Sequence, residues 1–309
     1  MKELEMHNII QLEGNALIQA IKSDFGLVIE NPEKIARGFD SQVYEASTDD
    51  KKVFIRINKN AGKFEVEVEG YKIFKNQGIP VPQVLAFKER PASIGQPTMI
   101  MEAAQGEEIN KSGLSEIQKE VVYENVGTLM KKMHETKVEG YGNLDFTSGV
   151  LQGRFSNWAE YWKSIDSECA RALQFLDDNH FVSEVEVEKI QQASRDIAML
   201  DFGSASLLHL DVHNAHIFVD QGKVSGIIDL GWLTAGDPRY DIAMSLIFQN
   251  AKDQKSFKRG YGELAYDPFV AKYMAIIAAK KTLYRTERGQ KQEAIDSALR
   301  RLRECLSQF

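Results

Sequence analysis

The run His209-Leu210-Asp211-Val212-His213-Asn214-Ala215-His216 is followed 18 positions after Asp211 by Asp229, and together they hold the residue types that phosphoryl transfer requires. One carboxylate must orient or deprotonate the attacking hydroxyl, and separate groups must hold a metal on the nucleotide phosphates. The polar loop 209–216 leads into an apolar strand at 217–219, Gln221-Gly222 turns the chain, and a second apolar strand ends at Asp229. Such a hairpin would bring Asp211, His216 and Asp229 toward one end. The same run permits other chemistry, because His209, His213 and His216, three of the six histidines, stand close to Asp211 and could bind zinc. A metal-dependent hydrolase is therefore the alternative, and it predicts no nucleotide-binding elements upstream.

The elements upstream decide between the two. Residues 35–46 read as strand, tight turn and strand, followed by the Asp49-Asp50 turn and a strand over 52–57 that carries Arg56. A helix over 64–77 follows, with Glu65, Glu67 and Glu69 near its start and Gly78 as its stop. Residues 97–106 read as a strand and a connection. Helices are predicted over 114–136, 158–179, 184–200 and much of 268–308, so the chain changes from β-rich to α-rich near residue 105.

The His-x-Asp loop and the following Asp229 are similar to the H-x-D-x-x-x-x-N and D-F-G elements of protein kinases. They resemble more closely the aminoglycoside phosphotransferase and choline kinase-like families, which carry Gly-Asp-Pro and a further Asp at the positions of Gly236-Asp237-Pro238 and Asp241. Val53-Phe54-Ile55-Arg56 falls where kinases have Val-Ala-Ile-Lys, and with Gly38-x-x-Ser41 it resembles hygromycin B phosphotransferases. The resemblance implies an α+β, two-lobed protein-kinase-like fold. Its small β-rich N-lobe would span 1–104, its larger α-helical C-lobe 105–309, and its active site would lie between them.

The resemblance also implies roles. Asp211 is the catalytic carboxylate and Asp229 a magnesium ligand. Gly38 lets the turn approach a nucleotide, while Ser41 and Arg56 hold phosphates. Glu67 pairs Arg56, with Glu65 as the alternative. Backbone groups from Glu102 to Ala104 meet the purine base. His209 and Asp241 brace the catalytic loop, and Asp237 supports the turn before Asp241. Two positions depart from the pattern. Arg56 replaces lysine but keeps the charge and adds a bidentate fork. His216 stands where the family places a magnesium-binding Asn; imidazole suits transition metals better than magnesium. Related macrolide kinases carry His there, so His216 is taken as the second metal ligand and Asn214 as the alternative.

Two further motifs are set aside. Asp201-Phe202-Gly203 precedes the His209 loop and reads as a helix end, and His134 reads as a structural histidine at a helix C-terminus. The 309 residues, 43% hydrophobic, suit two lobes, and the net charge of -7 excludes general nucleic-acid binding. With Cys169 and Cys305 alone, no signal-like apolar N-terminus and no membrane-length apolar run, a cytoplasmic protein without a membrane partner is expected. The expected reaction uses Mg2+ and ATP or GTP to phosphorylate a small, cationic hydroxyl substrate, with aminoglycosides first and macrolides or metabolites as alternatives. A nucleotide-binding pseudokinase, motivated by Arg56 and His216, is the non-catalytic alternative.

Overall fold

Alternation along residues 51–58 places Val53, Ile55 and Ile57 on one face and Arg56 on the other, and the structure follows that pattern. The computed structural model describes residues 12–37, 41–49 and 51–309. Internal contacts divide the chain into two units: one runs through Gly106 and adds Ser225–Gly231, and the other comprises Glu107–Val224 and Trp232–Phe309.

The first unit contains α1 (Asn15–Phe25), β1 (Glu30–Arg37), β2 (Ser41–Thr48), β3 (Lys51–Asn58), α2 (Lys63–Asn76), β4 (Val84–Lys88) and β5 (Thr98–Glu102). Its strands form one antiparallel sheet in the order β1-β2-β3-β5-β4, with β2 and β3 paired continuously from Ser41↔Asn58 to Thr48↔Lys51. Leu17 and Ile21 of α1 join Val53, Ile55, Ile57 and Ile100 in one apolar cluster. Helix α2 buries Phe64, Glu67, Tyr71 and Phe74, spaced as one helical face, so a carboxylate lies on its apolar stripe. Gly78 follows α2 at φ 71°, the left-handed conformation that glycine adopts without a Cβ penalty.

The second unit contains β6 (Glu107–Glu108), α3 (Glu116–Met133), β7 (Lys137–Val138), β8 (Tyr141–Thr147), β9 (Val150–Phe155), α4 (Trp158–Asp178), α5 (Glu184–Ala198), β10 (Ala205–Leu208) and β11 (Ile217–Asp220). It continues through the start of β12 (Lys223–Ile227), then β13 (Thr234–Gly236), α6 (Pro238–Leu246), α7 (Ala251–Tyr261), α8 (Pro268–Glu287) and α9 (Gln292–Leu306). Ser115 and Ser183 start α3 and α5 with reciprocal capping boxes. Helices α3 and α7 approach so closely that a Cβ on Gly260 would overlap the Glu124 carbonyl oxygen.

The α-rich expectation for this half is incomplete, because it also holds a five-stranded sheet in the order β7-β10-β13-β8-β9. Several of these strands are short: β7 has 2 residues, β13 has 3 and β10 has 4. Runs of that length show no readable period, and pairing partners distant in sequence create them. No helix among the described residues is long and apolar enough to cross a membrane.

Candidate active site

Two clusters of chemically capable residues emerge, one in each unit. In the first, Arg56 of β3 reaches Glu67 of α2, with Nη1 at 2.5 Å from Oε2 and Nη2 at 3.4 Å from Oε1. Glu67 is therefore the partner among the three candidate glutamates, while Glu69 pairs with Lys72. Burial opposes the Arg56 charge, but Glu67, Tyr71 and Asp229 together more than offset it and the guanidinium stays protonated. Burial pushes the Glu67 carboxyl up and Arg56 opposes the rise; the two-point contact keeps the pair ionic.

Asp229 belongs to the same unit. Its Oδ1 lies 3.8 Å from Arg56 Nη2, its backbone sits at φ 66°, and its N–H donates to the Tyr71 hydroxyl at 3.0 Å. A Cβ on Gly231 would come within 3.2 Å of Asp229 Oδ1, so glycine leaves that oxygen uncrowded. The Asp229 carboxylate is 41% exposed, which suits a hard cation that keeps several waters. Sequence reading missed Tyr71, whose signal was only its place one turn after Glu67.

Ser41 opens β2 opposite Asn58. Gly38 lies outside the described residues. In the stretch expected to meet the base through its backbone groups, Glu102 N–H donates to Gln83 O and Ala103 N–H to Lys52 O, while the Glu102 carboxylate pairs with Lys51 at 3.0 Å. Sheet pairing uses those groups. Among the described residues, the Ala104 N–H is the donor left unpaired in this stretch.

The second cluster is built on the loop after β10. Leu210 takes φ 60°, and Asp241 holds the bend by accepting Leu210 N–H on Oδ1 at 2.9 Å and His209 N–H on Oδ2 at 2.7 Å. His134, at the C-cap of α3, spans Asp241 Oδ2 at 3.0 Å and the Tyr261 hydroxyl at 2.7 Å, so it supports the loop from below. Burial pushes the Asp241 carboxyl up, but His134, His209 and the backbone donors outweigh it and hold the carboxyl below its ordinary range. His209 Nδ1 accepts the Asp211 N–H at 3.2 Å. Asp237 caps α6 and binds Arg239 and the Tyr273 hydroxyl.

The Asp211 carboxylate is partly exposed, with Oδ2 3.3 Å from His216 Nδ1 and Oδ1 3.6 Å from His213 Nε2. The two imidazoles stack with centroids 3.9 Å apart. His216 Nδ1 also lies 2.9 Å from the Asp211 carbonyl oxygen. Asp211, His213 and His216 offer ligand atoms within 4.8 Å of one another, whereas His209 is buried and outside this trio. Asn214 Oδ1 accepts the Tyr123 hydroxyl at 2.6 Å and is thereby occupied. The chain places Asp211 and His216 in the second unit and Asp229 in the first.

Asp211 lines a cavity of about 500 Å³ walled by Trp232, Phe248, Lys281 and Tyr284, none of which the sequence singled out. Their only signal was an aromatic soon after Asp229 and a Lys280-Lys281 pair in an apolar helix. Two acids also line this cavity: Asp166 accepts the Ser194 hydroxyl at 2.9 Å and Glu168 pairs with Lys280 at 2.6 Å. Asp201-Phe202-Gly203 forms the turn before β10, with Gly203 N–H bound to Asp201 Oδ1 at 3.1 Å.

Residues 32–274 match the phosphotransferase enzyme family. The chain is 21% identical over 251 residues to a hygromycin-B 4-O-kinase from Escherichia coli, covering 78% of this chain and 70% of that protein. Its fold is similar to a thermostable mutant of aminoglycoside phosphotransferase APH(4)-Ia in ternary complex with AMP-PNP and hygromycin B, at TM-score 0.73 and 19% identity over 96% of this chain and 99% of that one. It is also similar to spectinomycin phosphotransferase APH(9)-Ia, at TM-score 0.64 and 15% identity over 97% and 98% of the two chains. Macrolide 2'-phosphotransferase MphH from Brachybacterium faecium follows at TM-score 0.61 and 14% identity, with 93% and 97% covered.

Proposed function

The chain belongs to the phosphotransferase enzyme family, and we propose that it transfers the γ-phosphate of a nucleoside triphosphate to a hydroxyl of an aminoglycoside. The observation that carries this reading is Asp211: a partly exposed carboxylate on a loop fixed by Asp241, opening into a cavity large enough for a small acceptor. Asp211 accepts a hydrogen bond from the acceptor hydroxyl and takes its proton as the oxygen bonds to the γ-phosphorus and the bond to the β–γ bridging oxygen breaks, releasing the nucleoside diphosphate. Arg56, held by Glu67, neutralises donor phosphates, and Ser41 donates to them. The Ala104 N–H meets the base. ATP is favoured as donor because the neighbouring phosphotransferases were captured with AMP-PNP and ADP.

Magnesium fits Asp229, an exposed oxygen ligand left uncrowded by Gly231. Bound there, it would offset phosphate charge. His216 joins metal binding only through Nε2, since Nδ1 faces Asp211. The Asp211, His213 and His216 trio also favours a second reading, a transition-metal hydrolase.

The test is ADP release from magnesium-ATP with an aminoglycoside panel, for wild type and Asp211→Asn. Acceptor-dependent release in the wild type, reduced roughly 10²- to 10⁴-fold in the variant with nucleotide affinity retained, is expected. Equal turnover by both proteins would end the assignment of Asp211. Zinc-dependent hydrolysis without nucleotide would install the second reading.

A further inference from the structure

The ionic groups lining the Asp211 cavity are already paired, with one exception. Arg171 pairs with Glu287 at 2.7 Å and Lys280 with Glu168 at 2.6 Å, while Asp166 accepts the Ser194 hydroxyl. Apart from Asp211 itself, the acids that would draw in an ammonium group of an acceptor are therefore engaged by the protein's own donors. Lys281 differs. It lines the same cavity, its Nζ lies 3.6 Å from the centroid of the Phe248 ring, and among the described residues it forms no ion pair, Asp211 attracting it only from across the cavity.

Its surroundings carry more cations than acids. Arg285 stands one turn further along α8, and Arg300 and Arg301 of α9, the latter paired with Glu304 at 2.9 Å, line a groove on which Lys281 also borders. The aromatic face of Phe248 offsets part of the ammonium's lost hydration. It supplies no acceptor for the N–H groups, which are free to meet a bound molecule. An unpaired, half-buried ammonium in the cavity of a reactive carboxylate is the arrangement expected of a group that reads a ligand.

We propose that Lys281 is the specificity-determining residue of the acceptor cavity, selecting molecules that present oxygen there and rejecting those that present an amino group. A hydroxyl, ether or carboxylate oxygen accepts from the Lys281 ammonium, whereas a protonated amine is repelled by it. An aminoglycoside carries both kinds of edge, so Lys281 fixes which hydroxyl reacts: the phosphorylated hydroxyl is one whose ring neighbours bear oxygen. This inference rests on the kinase reading and names the acceptor edge that the site takes.

The experiment compares wild type with K281M, K281E and K281R on paromomycin and neomycin B, which differ by a hydroxyl in place of an amine. Each is measured as a substrate or as a competitor of whichever aminoglycoside turns over, and the new phosphate is located by phosphorus–proton correlation NMR. The wild type is expected to prefer paromomycin by tenfold or more in KM or Ki and to phosphorylate an oxygen-flanked hydroxyl. K281M should bring the ratio within threefold, K281E should invert it, and K281R should retain it. An unchanged ratio in K281M, or a wild-type product phosphorylated beside an amine, would overturn the inference while leaving the kinase reading intact. Absence of turnover with every acceptor would remove both.

Discussion

Asp241→Asn tests whether the catalytic loop is held by a buried carboxylate. Asp241 accepts three hydrogen bonds, from His209 N–H, Leu210 N–H and the His134 imidazole, and it is fully buried. Asparagine keeps the shape but turns one oxygen into a donor. The less costly orientation points the new NH2 at Leu210 N–H, since Oδ1 accepts one bond and Oδ2 two. One charge-assisted bond is then lost, at about 1.5 to 3 kcal/mol, and the other two weaken by roughly 1 kcal/mol each. The sum, about 3 to 5 kcal/mol, corresponds to a fall in Tm of roughly 5 to 10 °C for a chain of this size.

The same bonds hold Leu210 at φ 60° immediately before Asp211, so relaxing them displaces the catalytic carboxylate. A displacement on the order of 1 Å lowers kcat by about 10²-fold. Calorimetry and steady-state ADP release on the purified variant measure both effects. The wild-type advantage also has a defined pH dependence. The Asp241 carboxyl is held below its ordinary value, so its stabilisation is present above the unfolded pKa of about 3.9 and is lost as pH falls through the folded value. A variant with Tm within 1 °C and kcat within twofold of wild type would refute the bracing role.

Glu67→Gln leaves the Arg56 guanidinium without its carboxylate; nucleotide affinity measured by titration calorimetry should fall about 10- to 100-fold, because the phosphate-binding fork loses its orientation. Gly260→Ala forces α7 away from α3, since the added methyl overlaps the Glu124 carbonyl, and a loss of about 1 to 3 kcal/mol in denaturant unfolding is expected. Burial and Arg285 lower the Lys281 pKa to about 8 against the opposing pull of Asp211, and Arg300, Arg301 and Glu304 of α9 line the adjoining groove. Discrimination between hydroxyl- and amine-bearing acceptors should therefore weaken from pH 7 to pH 9 in the wild type more than in K281M, as seen in the pH profile of the KM ratio.

Much of the site was legible because its chemistry is concentrated in short runs. The His209–His216 loop, Asp229, and Gly236-Asp237-Pro238 with Asp241 are recognisable by order and spacing alone, and alternation along β3 fixed the face on which Arg56 stands. Helix boundaries over α2, α4 and α5 were readable to within one or two residues, since capping residues and glycine stops act locally. What spacing could not decide was partnership. Glu67 and not Glu65 meets Arg56 because the α2 face that packs inward carries Phe64, Glu67 and Tyr71. The Glu102 and Ala103 donors are used by neighbouring strands, and Asn214 is occupied by a tyrosine 91 positions away.

The chain by itself thus determined the α+β architecture and singled out Asp211 and Arg56 as candidates for the reacting carboxylate and the phosphate-binding cation, because those depend on residue type, period and local order. Only the tertiary structure decided the short strands of the second unit, the His134–Asp241 brace and the pairing that, among the described residues, leaves Lys281 without an ion pair in its cavity. These depend on contacts between residues far apart in sequence, which cooperative packing selects and no local pattern encodes.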